Sequence, residues 1–379
     1  MTTILPGATI GFLGGGQLAR MSALAARSMG YEVHVLDPDP DCPARAVASH
    51  VVTAKYDDTE AAAAFARTCD VITLDIEQVT TASIAVASLH APVHPGAAPI
   101  HIIQDRGRQK EWLQLRGFPV APFRIARSPL EVANAWDALG RSIAKTTSGG
   151  YDGRGQSRIR SPHDVPAAAA LTESSTVVVE QWIELAAELS VMVARSSTGE
   201  VRTFPVSWNH HDSGVLTWAM TPAPVSDATS AAAVALASSV ADALDIVGLL
   251  AVELFVTADD TLMVNELAPR PHNTFHATER ACVTSQFEQH VRAVCGLPLG
   301  STALLSAGAI VNLLGDLWRS DAEHPAWERA LDVPGVRLHL YGKKIAKPGR
   351  KMGHLSGVGP TPEAARDAVL DAYARLLPH

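Results

Sequence analysis

Two short apolar runs, 252–256 and 263–268, lie on either side of a polar turn at 258–260 and predict a β-hairpin. Each run contains an acidic residue, Glu253 in the first and Glu266 in the second. Two carboxylates on paired strands suit Mg²⁺, which prefers oxygen ligands and also binds the phosphate oxygens of substrates. The alternative is a hairpin whose acidic side chains are solvated.

The loop after this hairpin carries further polar residues. Asn265 adds an amide next to Glu266, and Arg270, His272 and Asn273 follow the second run directly. Two prolines alternate with these residues and stiffen the loop. We therefore expect the arginine and the histidine to face the group that the metal activates.

The start of the chain has the pattern of a βαβ unit. An apolar run at 8–13 is followed by the glycine turn 14–16, an amphipathic helix and a second apolar run at 33–36. Gly14, Gly16 and Ala19 have the spacing of the glycine motif in a dinucleotide-binding fingerprint, and Asp37 after the second run matches its acidic residue. A glycine turn that opens a helix offers free amide groups to any phosphate, whether of a dinucleotide or of a mononucleotide.

A further strand at 71–77 ends in acidic residues. Asp75 and Glu77 alternate onto one face at its carboxyl end, where ligands bind in open α/β sheets. There they are suited to hold hydroxyl groups or an amine, and the alternative is a pair of solvated acids. We interpret 92–99 as the loop that closes this first domain.

A glycine-rich loop follows the strand that ends at Lys145. Four of the seven residues 149–155 are glycine, which predicts a mobile loop whose amide groups fold over phosphates. Lys145 lies behind this loop as a point charge, and Arg154 adds a second cation. The alternative is a plain hairpin loop.

Two apolar strands at 176–180 and 187–195 are joined by a short linker. The linker can offer backbone donors and acceptors to an adenine, and Glu188 is placed to bind ribose hydroxyls. The adjacent His210 and His211 do not predict a metal site, because neighbouring residues of a strand point to opposite faces.

The remaining segments alternate between helical and strand patterns. We predict a helix that begins at Asp105, helices at 228–246, 277–294 and 361–377, and strands of a small third domain at 309–315 and 336–341. The loop 342–354 contains six Lys, Arg or His in thirteen residues. It is either a solvated basic loop or part of a site for an anionic ligand.

Composition narrows the class of protein. The 379 residues suffice for two or three domains, and 47% hydrophobic with 18% charged residues is typical of a globular protein. The net charge of −8 argues against a nucleic-acid surface. Four widely spaced cysteines predict buried free thiols. Without a signal-peptide pattern or an uninterrupted apolar span, we expect a soluble cytoplasmic protein that does not contact membranes.

Taken in chain order, these motifs resemble those of the ATP-grasp enzymes, and within them the 5-(carboxyamino)imidazole ribonucleotide synthase family. The resemblance covers nearly the whole chain. Its most specific segments are 14–18, 149–156, 265–273, 284–290 and 348–354.

The resemblance implies a fold that combines α/β and α+β architecture. The expected domains are an N-terminal Rossmann-like (pre-ATP-grasp) ribonucleotide-binding domain at 1–104 and a two-lobed ATP-grasp domain at 105–296, with a lid at about 120–184. A small β-rich C-terminal domain is expected at 297–379.

The resemblance also implies site residues. Positions that match ATP-binding residues are Arg106, Lys145, Gly150, Tyr151, Asp152, Gly153, Arg154, Gly155, Gln156, Glu180, Gln181, Trp182, Ile183, Glu188, His211, Asn265 and Glu266. Glu253 and Glu266 match the metal ligands. The ribonucleotide positions are Gly15, Gly16, Gln17, Leu18, Asp75, Glu77, Lys343 and Arg350. Arg270, His272 and Asn273 match the catalytic region where bicarbonate and the amine meet.

The implied activity is the ATP- and bicarbonate-dependent carboxylation of 5-aminoimidazole ribonucleotide to N5-carboxyaminoimidazole ribonucleotide through carboxyphosphate, in purine biosynthesis. The cofactors would be ATP and Mg²⁺, with Mn²⁺ as an alternative metal, and we expect a homodimer. The alternatives are another ATP-grasp carboxylase or formate-dependent ligase, an NAD-dependent oxidoreductase, and a nucleotide-binding module without turnover.

Two positions depart from the family pattern. The family usually has Glu at the position of Asp75, and Ser-Gly-His where this chain has Thr274-Phe275-His276. We expect Asp75 to have a shorter reach and Phe275 to narrow the pocket.

Overall fold

Three β-sheets organise the parts of the chain that the computed structural model describes, residues 3–149, 155–212, 214–318 and 324–377. One sheet is parallel, with helices between its strands, and the other two are antiparallel. This is the predicted combination of α/β and α+β architecture. None of the helices in these ranges is long and apolar enough to cross a membrane.

The N-terminal sheet is parallel and begins with the predicted βαβ unit. Its strands are β1 (Thr9–Leu13), β2 (Glu32–Asp37), β3 (His50–Thr53), β4 (Val71–Leu74) and β5 (Val93–His94), in the order β3-β2-β1-β4-β5. Its helices are α1 (Gln17–Ser28), α2 (Thr59–Ala66), α3 (Thr81–Ala87) and α4 (Ala97–Ile103). The central strands β1 and β4 are almost wholly buried, as expected when helices cover both faces.

The interpretation of 92–99 as a loop is wrong. Val93 pairs with Ile72 of β4, which adds a fifth strand, and Ala97 begins α4. Pro99 lies in the first turn of that helix, where a missing N–H costs no helical hydrogen bond.

The start of α1 depends on a carboxylate from another strand. Gly16 is the N-cap residue and has no side chain with which to cap the helix. Asp75, which follows β4, accepts hydrogen bonds from the amides of Gly16 at 2.9 Å and Ala19 at 2.5 Å. Asp37 accepts one from the Gly15 amide at 2.6 Å. The prediction that the glycine turn offers free amides is therefore wrong for these three residues, because acidic side chains occupy the helix N-terminus.

A four-stranded antiparallel sheet forms the second layer, in the order β6-β9-β7-β8. Helix α5 (Arg106–Leu115) precedes it, with Asp105 as N-cap, as predicted. The strands are β6 (Phe123–Ala126), β7 (Ser142–Thr146), β8 (Gln156–Ile159) and β9 (Val177–Gln181), and the helices are α6 (Pro129–Leu139) and α7 (Val165–Ala169). Strand β7 ends one residue after Lys145.

The third sheet is antiparallel and has nine strands, with β11 paired only to β10. Its strands are β10 (Leu185–Arg195), β11 (Val201–Thr203), β12 (Ser207–Asp212), β13 (Val215–Thr221), β14 (Gly248–Thr257), β15 (Leu262–Ala268), β16 (Ala307–Leu314), β17 (Val336–Leu340) and β18 (Lys351–Gly359). Its helices are α8 (Asp227–Ala243), α9 (Thr278–Ala281), α10 (Gln286–Val294), α11 (Trp327–Leu331) and α12 (Pro362–Ala374). Because β13 pairs with β16, strands on both sides of the predicted boundary at 296/297 belong to one continuous sheet.

The predicted hairpin at 252–268 is confirmed as β14 and β15. The predicted single helix 277–294 is wrong, because α9 ends at Ala281 and Cys282 forms a β-bridge with Leu304. Ser285 then starts a new helix by accepting a hydrogen bond from the Glu288 amide at 3.1 Å. A strong N-cap inside an apolar helical pattern marks the break.

Substituting Gly16 by Ala should destabilise the protein by about 1–3 kcal/mol, because a Cβ there would lie 2.3 Å from Asp75 Oδ2. Gly96 is a matched control. It is also a helix N-cap with similar backbone angles, and a Cβ on it would lie 3.9 Å from the nearest atom. The melting temperature should fall clearly in Gly16→Ala and only slightly in Gly96→Ala. An equal fall in the two variants would contradict the steric argument.

Candidate active site

A cleft of about 370 Å³ opens between the four-stranded and nine-stranded sheets. Strands β7 and β9 contribute Lys145 and Glu180 on one side. Strands β14 and β15 contribute Glu253, Asn265 and Glu266 on the other. Residues that lie far apart in sequence thus meet across one cavity.

A buried group of charges fixes the position of Lys145. Glu180 is 2% exposed and accepts a hydrogen bond from Lys145 Nζ at 3.0 Å, while Lys110 Nζ lies 3.7 Å away. Burial alone would raise the pKa of Glu180, but the charges of Lys110 and Lys145 lower it to about 2. Glu180 is therefore ionised and holds the Lys145 ammonium at the cleft wall.

A β-bulge brings two carboxylates and an amide together, as the sequence predicts. Glu253 pairs with Glu266 across the hairpin, whereas Leu254 pairs with Val264, so Asn265 is the extra residue. Neighbouring residues of a regular strand point to opposite faces, but a bulge re-aims a side chain. Asn265 Nδ2 consequently reaches Glu253 Oε2 at 3.4 Å, and both line the cleft together with Glu266.

The two glutamates carry an unbalanced negative charge. Burial and then the charge of Glu266 raise the pKa of Glu253 to about 7. Burial opposes the ionisation of Glu266 only weakly, because its side chain is half exposed, and Arg106, whose guanidinium lies 3.2 Å away, lowers its pKa. A cation bound between the carboxylates would relieve the repulsion.

This donor set fits Mg²⁺. Glu253, Glu266 and Asn265 present oxygen ligands from one hairpin. Within the described ranges, no three His, Cys, Asp or Glu side chains converge to hold a metal. Mg²⁺ in proteins commonly binds one or two carboxylates and takes its other oxygens from water and substrate phosphates. Glu253 and Glu266 are the residues that would hold the ion.

Glu188 and His211 form a polar pair on neighbouring strands. His211 Nδ1 lies 2.8 Å from Glu188 Oε2. Burial alone would lower the pKa of His211, but the contact with Glu188 raises it. His210 stacks instead on Trp218, with ring centroids 5.0 Å apart. The two histidines thus have different surroundings, as predicted.

The loop after β15 joins the cleft to the N-terminal sheet. Arg270 Nε lies 2.7 Å from Glu77 Oε1, and His272 Nε2 lies 3.4 Å from Glu253 Oε1. Burial and the charge of Arg270 hold the pKa of His272 well below its usual range, so its imidazole is neutral. Asn273 also lines the cleft. A cation and two neutral polar side chains therefore face the carboxylate pair.

The basic loop before β18 contacts the N-terminal domain. Lys343 Nζ donates to the carbonyl oxygen of Lys351 at 2.7 Å, and Lys344 forms an ion pair with Asp41 at 2.7 Å. Lys351, rather than Lys343 or Arg350, lines the cleft. The two predicted cations lie in the adjoining loop.

Three family models match successive parts of the chain. They are the ribonucleotide synthetase preATP-grasp domain at 7–104, the ATP-grasp domain at 111–287 and the phosphoribosylaminoimidazole carboxylase C-terminal domain at 308–368. The N5-carboxyaminoimidazole ribonucleotide synthase of Bacillus subtilis is 44% identical over 354 residues, which cover 93% of this chain and 92% of the relative. The chain belongs to the N5-carboxyaminoimidazole ribonucleotide synthase family. The synthase of Brucella melitensis is 43% identical, over 95% of this chain and 98% of its own.

Solved structures of synthases in this family share the fold. An N5-carboxyaminoimidazole ribonucleotide synthetase in complex with ADP has a TM-score of 0.92 and 41% identity, covering 98% of each chain. The Aspergillus clavatus synthase in complex with ADP and 5-aminoimidazole ribonucleotide has a TM-score of 0.91 and 33% identity, covering 97% of this chain and 98% of its own. The predicted family and ATP-grasp fold are confirmed.

More than half of the predicted site residues line this cleft. These are Arg106, Lys145, Gln156, Glu180, Gln181, Trp182, Ile183, Glu188, His211, Glu253, Asn265, Glu266, Arg270, His272 and Asn273. Gly150, Tyr151, Asp152, Gly153 and Arg154 fall outside the described residues. Gly155 directly precedes β8. The predicted ribonucleotide residues of the N-terminal domain do not line the cleft. They lie at the glycine turn (Gly15, Gly16), at the start of α1 (Gln17, Leu18) and just after β4 (Asp75, Glu77), and Glu77 connects to the cleft through Arg270.

Sequence reasoning missed several residues at this site. Lys110 lies one helical turn after Arg106 on α5, and this spacing could have revealed it as a second cation on the same face. Lys351 directly follows Arg350, which was assigned from the same motif. Arg158, on β8, lines the cleft and stacks its guanidinium over Trp182 at 5.5 Å.

The expectation that Phe275 narrows the pocket is wrong. Its side chain is fully buried and packs near Phe204, with ring centroids 6.2 Å apart, in a core beneath β10 and β14. The 3-10 turn at Asn273–Phe275 directs the ring into this core. Thr274 instead contacts the site, since its Oγ1 lies 2.9 Å from His272 Nδ1.

Replacing Glu180 with Gln should destabilise the protein by about 3 kcal/mol at pH 7, because two buried ammonium groups lose their partner. The folded pKa of about 2 lies below the unfolded value of 4.5. The carboxylate therefore contributes its full stability above the unfolded value and loses it as the pH falls towards 2. Thermal melts of the variant and of the wild type should converge over this window.

Glu184→Gln is the control, since Glu184 is 81% exposed and pairs with Arg141 at the surface. It should change stability by less than about 1 kcal/mol. If the difference in melting temperature between wild type and Glu180→Gln stays constant as the pH falls, Glu180 is not ionised in the folded protein and the account is wrong.

Proposed function

We propose that this chain is a C–N bond-forming ligase that carboxylates 5-aminoimidazole ribonucleotide to N5-carboxyaminoimidazole ribonucleotide in purine biosynthesis. ATP supplies the energy and bicarbonate the carbon. The observation that carries the proposal is the position of the Glu253/Glu266 pair. It contacts Arg106 on the lysine side of the cleft and His272 on the side of Arg270. The region that binds the triphosphate and the region that binds bicarbonate therefore lie on opposite sides of the Glu253/Glu266 pair.

ATP is bound on the lysine side. Lys145 offsets the charge of the triphosphate and is itself held by Glu180. Residues 181–183 follow β9 and offer backbone donors and acceptors to the adenine, while Glu188 accepts hydrogen bonds from the ribose. Mg²⁺, or Mn²⁺ in its place, would be held by Glu253 and Glu266 and would supply positive charge that offsets the charge of the triphosphate.

The reaction proceeds in two displacements. An oxygen of bicarbonate attacks the γ-phosphorus, the bond from that phosphorus to the β-γ bridging oxygen breaks, and ADP leaves. The amine nitrogen then attacks the carbonyl carbon of carboxyphosphate, the bond from that carbon to the phosphate oxygen breaks, and the departing phosphate takes the proton that the amine loses. Arg270 holds the carboxyphosphate by charge, and neutral His272 and Asn273 hydrogen-bond to the reacting groups. The protein contributes mainly positioning and electrostatics.

The ribonucleotide is bound where the N-terminal sheet meets the basic loop. Lys343 and Arg350 bind its phosphate, and Glu77 lies beside Arg270 at the point where the amine must reach the cleft. The hydrogen bonds of Asp75 to the glycine turn give this residue a positioning role in α1 as well. Lys344, paired with Asp41, keeps the basic loop against the N-terminal domain.

We also propose a cytoplasmic homodimer. Its support is a groove between α1 and β17 that contains the exposed apolar side chains Leu24 and Leu340. The four cysteines are free thiols, which suits a reducing compartment.

The experiment that tests the activity is ADP release from MgATP across a panel of acceptors. Release should be fastest with aminoimidazole ribonucleotide and bicarbonate together, because the amine consumes the carboxyphosphate. Parallel reactions contain bicarbonate alone, formate, biotin, and the ribonucleotide without bicarbonate. Stimulation by formate or biotin with no response to the ribonucleotide would contradict the carboxylase assignment.

Glu266→Gln should lower turnover by about 100-fold or more, because it removes a charged metal ligand. The magnesium concentration needed for half-maximal rate should rise. Asp259→Asn is the control, since Asp259 lies in the exposed turn of the same hairpin. Near-full activity of Glu266→Gln at limiting magnesium would contradict the metal site.

A further inference from the structure

The amide side chain of Gln286, at the start of α10, is fully buried behind the cleft. Its Oε1 accepts a hydrogen bond from the His272 amide at 2.8 Å. Its Nε2 donates to the His272 carbonyl oxygen at 3.0 Å and to Nδ1 of His276 at 3.0 Å. Both donors and the acceptor of this side chain are therefore used.

These contacts define the orientation of the Gln286 amide. A flipped amide would set its NH₂ group against the His272 N–H and its oxygen against the His272 carbonyl. Only the observed orientation satisfies both backbone groups. The second N–H of Nε2 is then directed at His276 Nδ1, which must act as an acceptor.

An acceptor at Nδ1 fixes the tautomer of His276. A neutral imidazole with an unprotonated Nδ1 carries its proton on Nε2. Burial lowers the pKa of His276 to about 3, in agreement with a neutral ring. Nε2 lies 2.9 Å from Oδ1 of Asn273 and so donates to that oxygen.

Two other rings stack on the imidazole of His276. Phe287 stacks on it with ring centroids 5.5 Å apart, and His354 stacks with centroids 4.5 Å apart. His276 and His354 are fully buried. The ring therefore keeps its plane while its two nitrogens keep their roles.

We propose that Gln286 is a positioning residue which, through His276, determines which end of the Asn273 side chain faces the cleft. The carbonyl oxygen of Asn273 is bound to His276, so its NH₂ group is the end presented to the cleft. An NH₂ donor stabilises a bicarbonate or carboxyphosphate oxygen, whereas a flipped amide would present an oxygen to that anion. Gln286 also hydrogen-bonds to the backbone of His272. It therefore positions both Asn273 and His272, two residues of the proposed catalytic region.

Gln289 on the same helix provides a matched control. It is equally buried and also forms two hydrogen bonds to backbone, with the carbonyl oxygen of Gly300 at 3.0 Å and the amide of Gly300 at 2.8 Å. Methionine has nearly the same length as glutamine and removes the hydrogen bonds in both cases. Gln286→Met and Gln289→Met should therefore lose comparable stability, whereas only Gln286→Met misplaces Asn273 and His272.

The functional test compares kcat, the two KM values and the ADP released per carboxylated product. Gln286→Met should lower kcat by about tenfold or more and raise the ADP-to-product ratio, with KM for ATP changed by less than about twofold. Gln289→Met should keep both kcat and the ratio near wild type. If the wild type is active and Gln286→Met has the same kcat and the same ADP-to-product ratio, the proposal is wrong.

A second pair of variants separates hydrogen bonding from packing. His276→Phe keeps a flat ring that can stack on Phe287 and His354 but removes the Nε2 donor. His276→Gln loses the ring but can place an N–H near the same point. His276→Gln should retain more coupled activity than His276→Phe, and the reverse order would mean that His276 acts only through packing.

The proposal rests on the assigned carboxylation, which fails separately if wild-type protein shows no ribonucleotide-stimulated ADP release. Nitrogen-15 NMR of histidine-labelled protein tests the positioning without turnover, with the His276 signal identified by its loss in His276→Gln. Wild-type His276 should be the Nε2–H tautomer at neutral pH, and Gln286→Met should lose that preference. An Nδ1–H tautomer or an imidazolium in the wild type would overturn the inference.

Discussion

Repulsion between the facing carboxylates of Glu253 and Glu266 is the constraint on which the site depends. Burial raises the pKa of Glu253, so the charge of the pair must be offset. Arg106 contacts Glu266 on one side, and His272 contacts Glu253 on the other. The same imbalance supports the proposed binding of a divalent cation at this hairpin, because a cation would offset the repulsion between the carboxylates.

Local patterns allowed most of the fold to be predicted. The hairpin, the N-terminal βαβ unit and the strand ending at Lys145 have short-range signatures, because alternation and turn chemistry depend on neighbouring residues. The helix break at Ser285 was missed because apolar spacing continues across it. The free amides of the glycine turn were wrongly predicted because Asp37 and Asp75, which lie later in the sequence, accept hydrogen bonds from Gly15 and Gly16.

Contacts between distant segments account for what the sequence did not reveal at the site. Lys110 and Lys145 share Glu180 only because α5 packs beside the four-stranded sheet. Gln286 reaches His272 and His276 only because α10 lies behind the loop after β15. Both groups are buried, so unmet hydrogen bonds or charges would be costly and the arrangement of each is fixed.

The central claim is that ATP phosphorylates bicarbonate in this cleft. It is tested most directly with bicarbonate labelled with oxygen-18, in the presence of MgATP and aminoimidazole ribonucleotide. If bicarbonate oxygen attacks the γ-phosphorus, each inorganic phosphate released with the product should carry one labelled oxygen, detected by mass spectrometry or phosphorus NMR. Carboxylated product formed with unlabelled phosphate would contradict the account, because the phosphate oxygen would then have come from water.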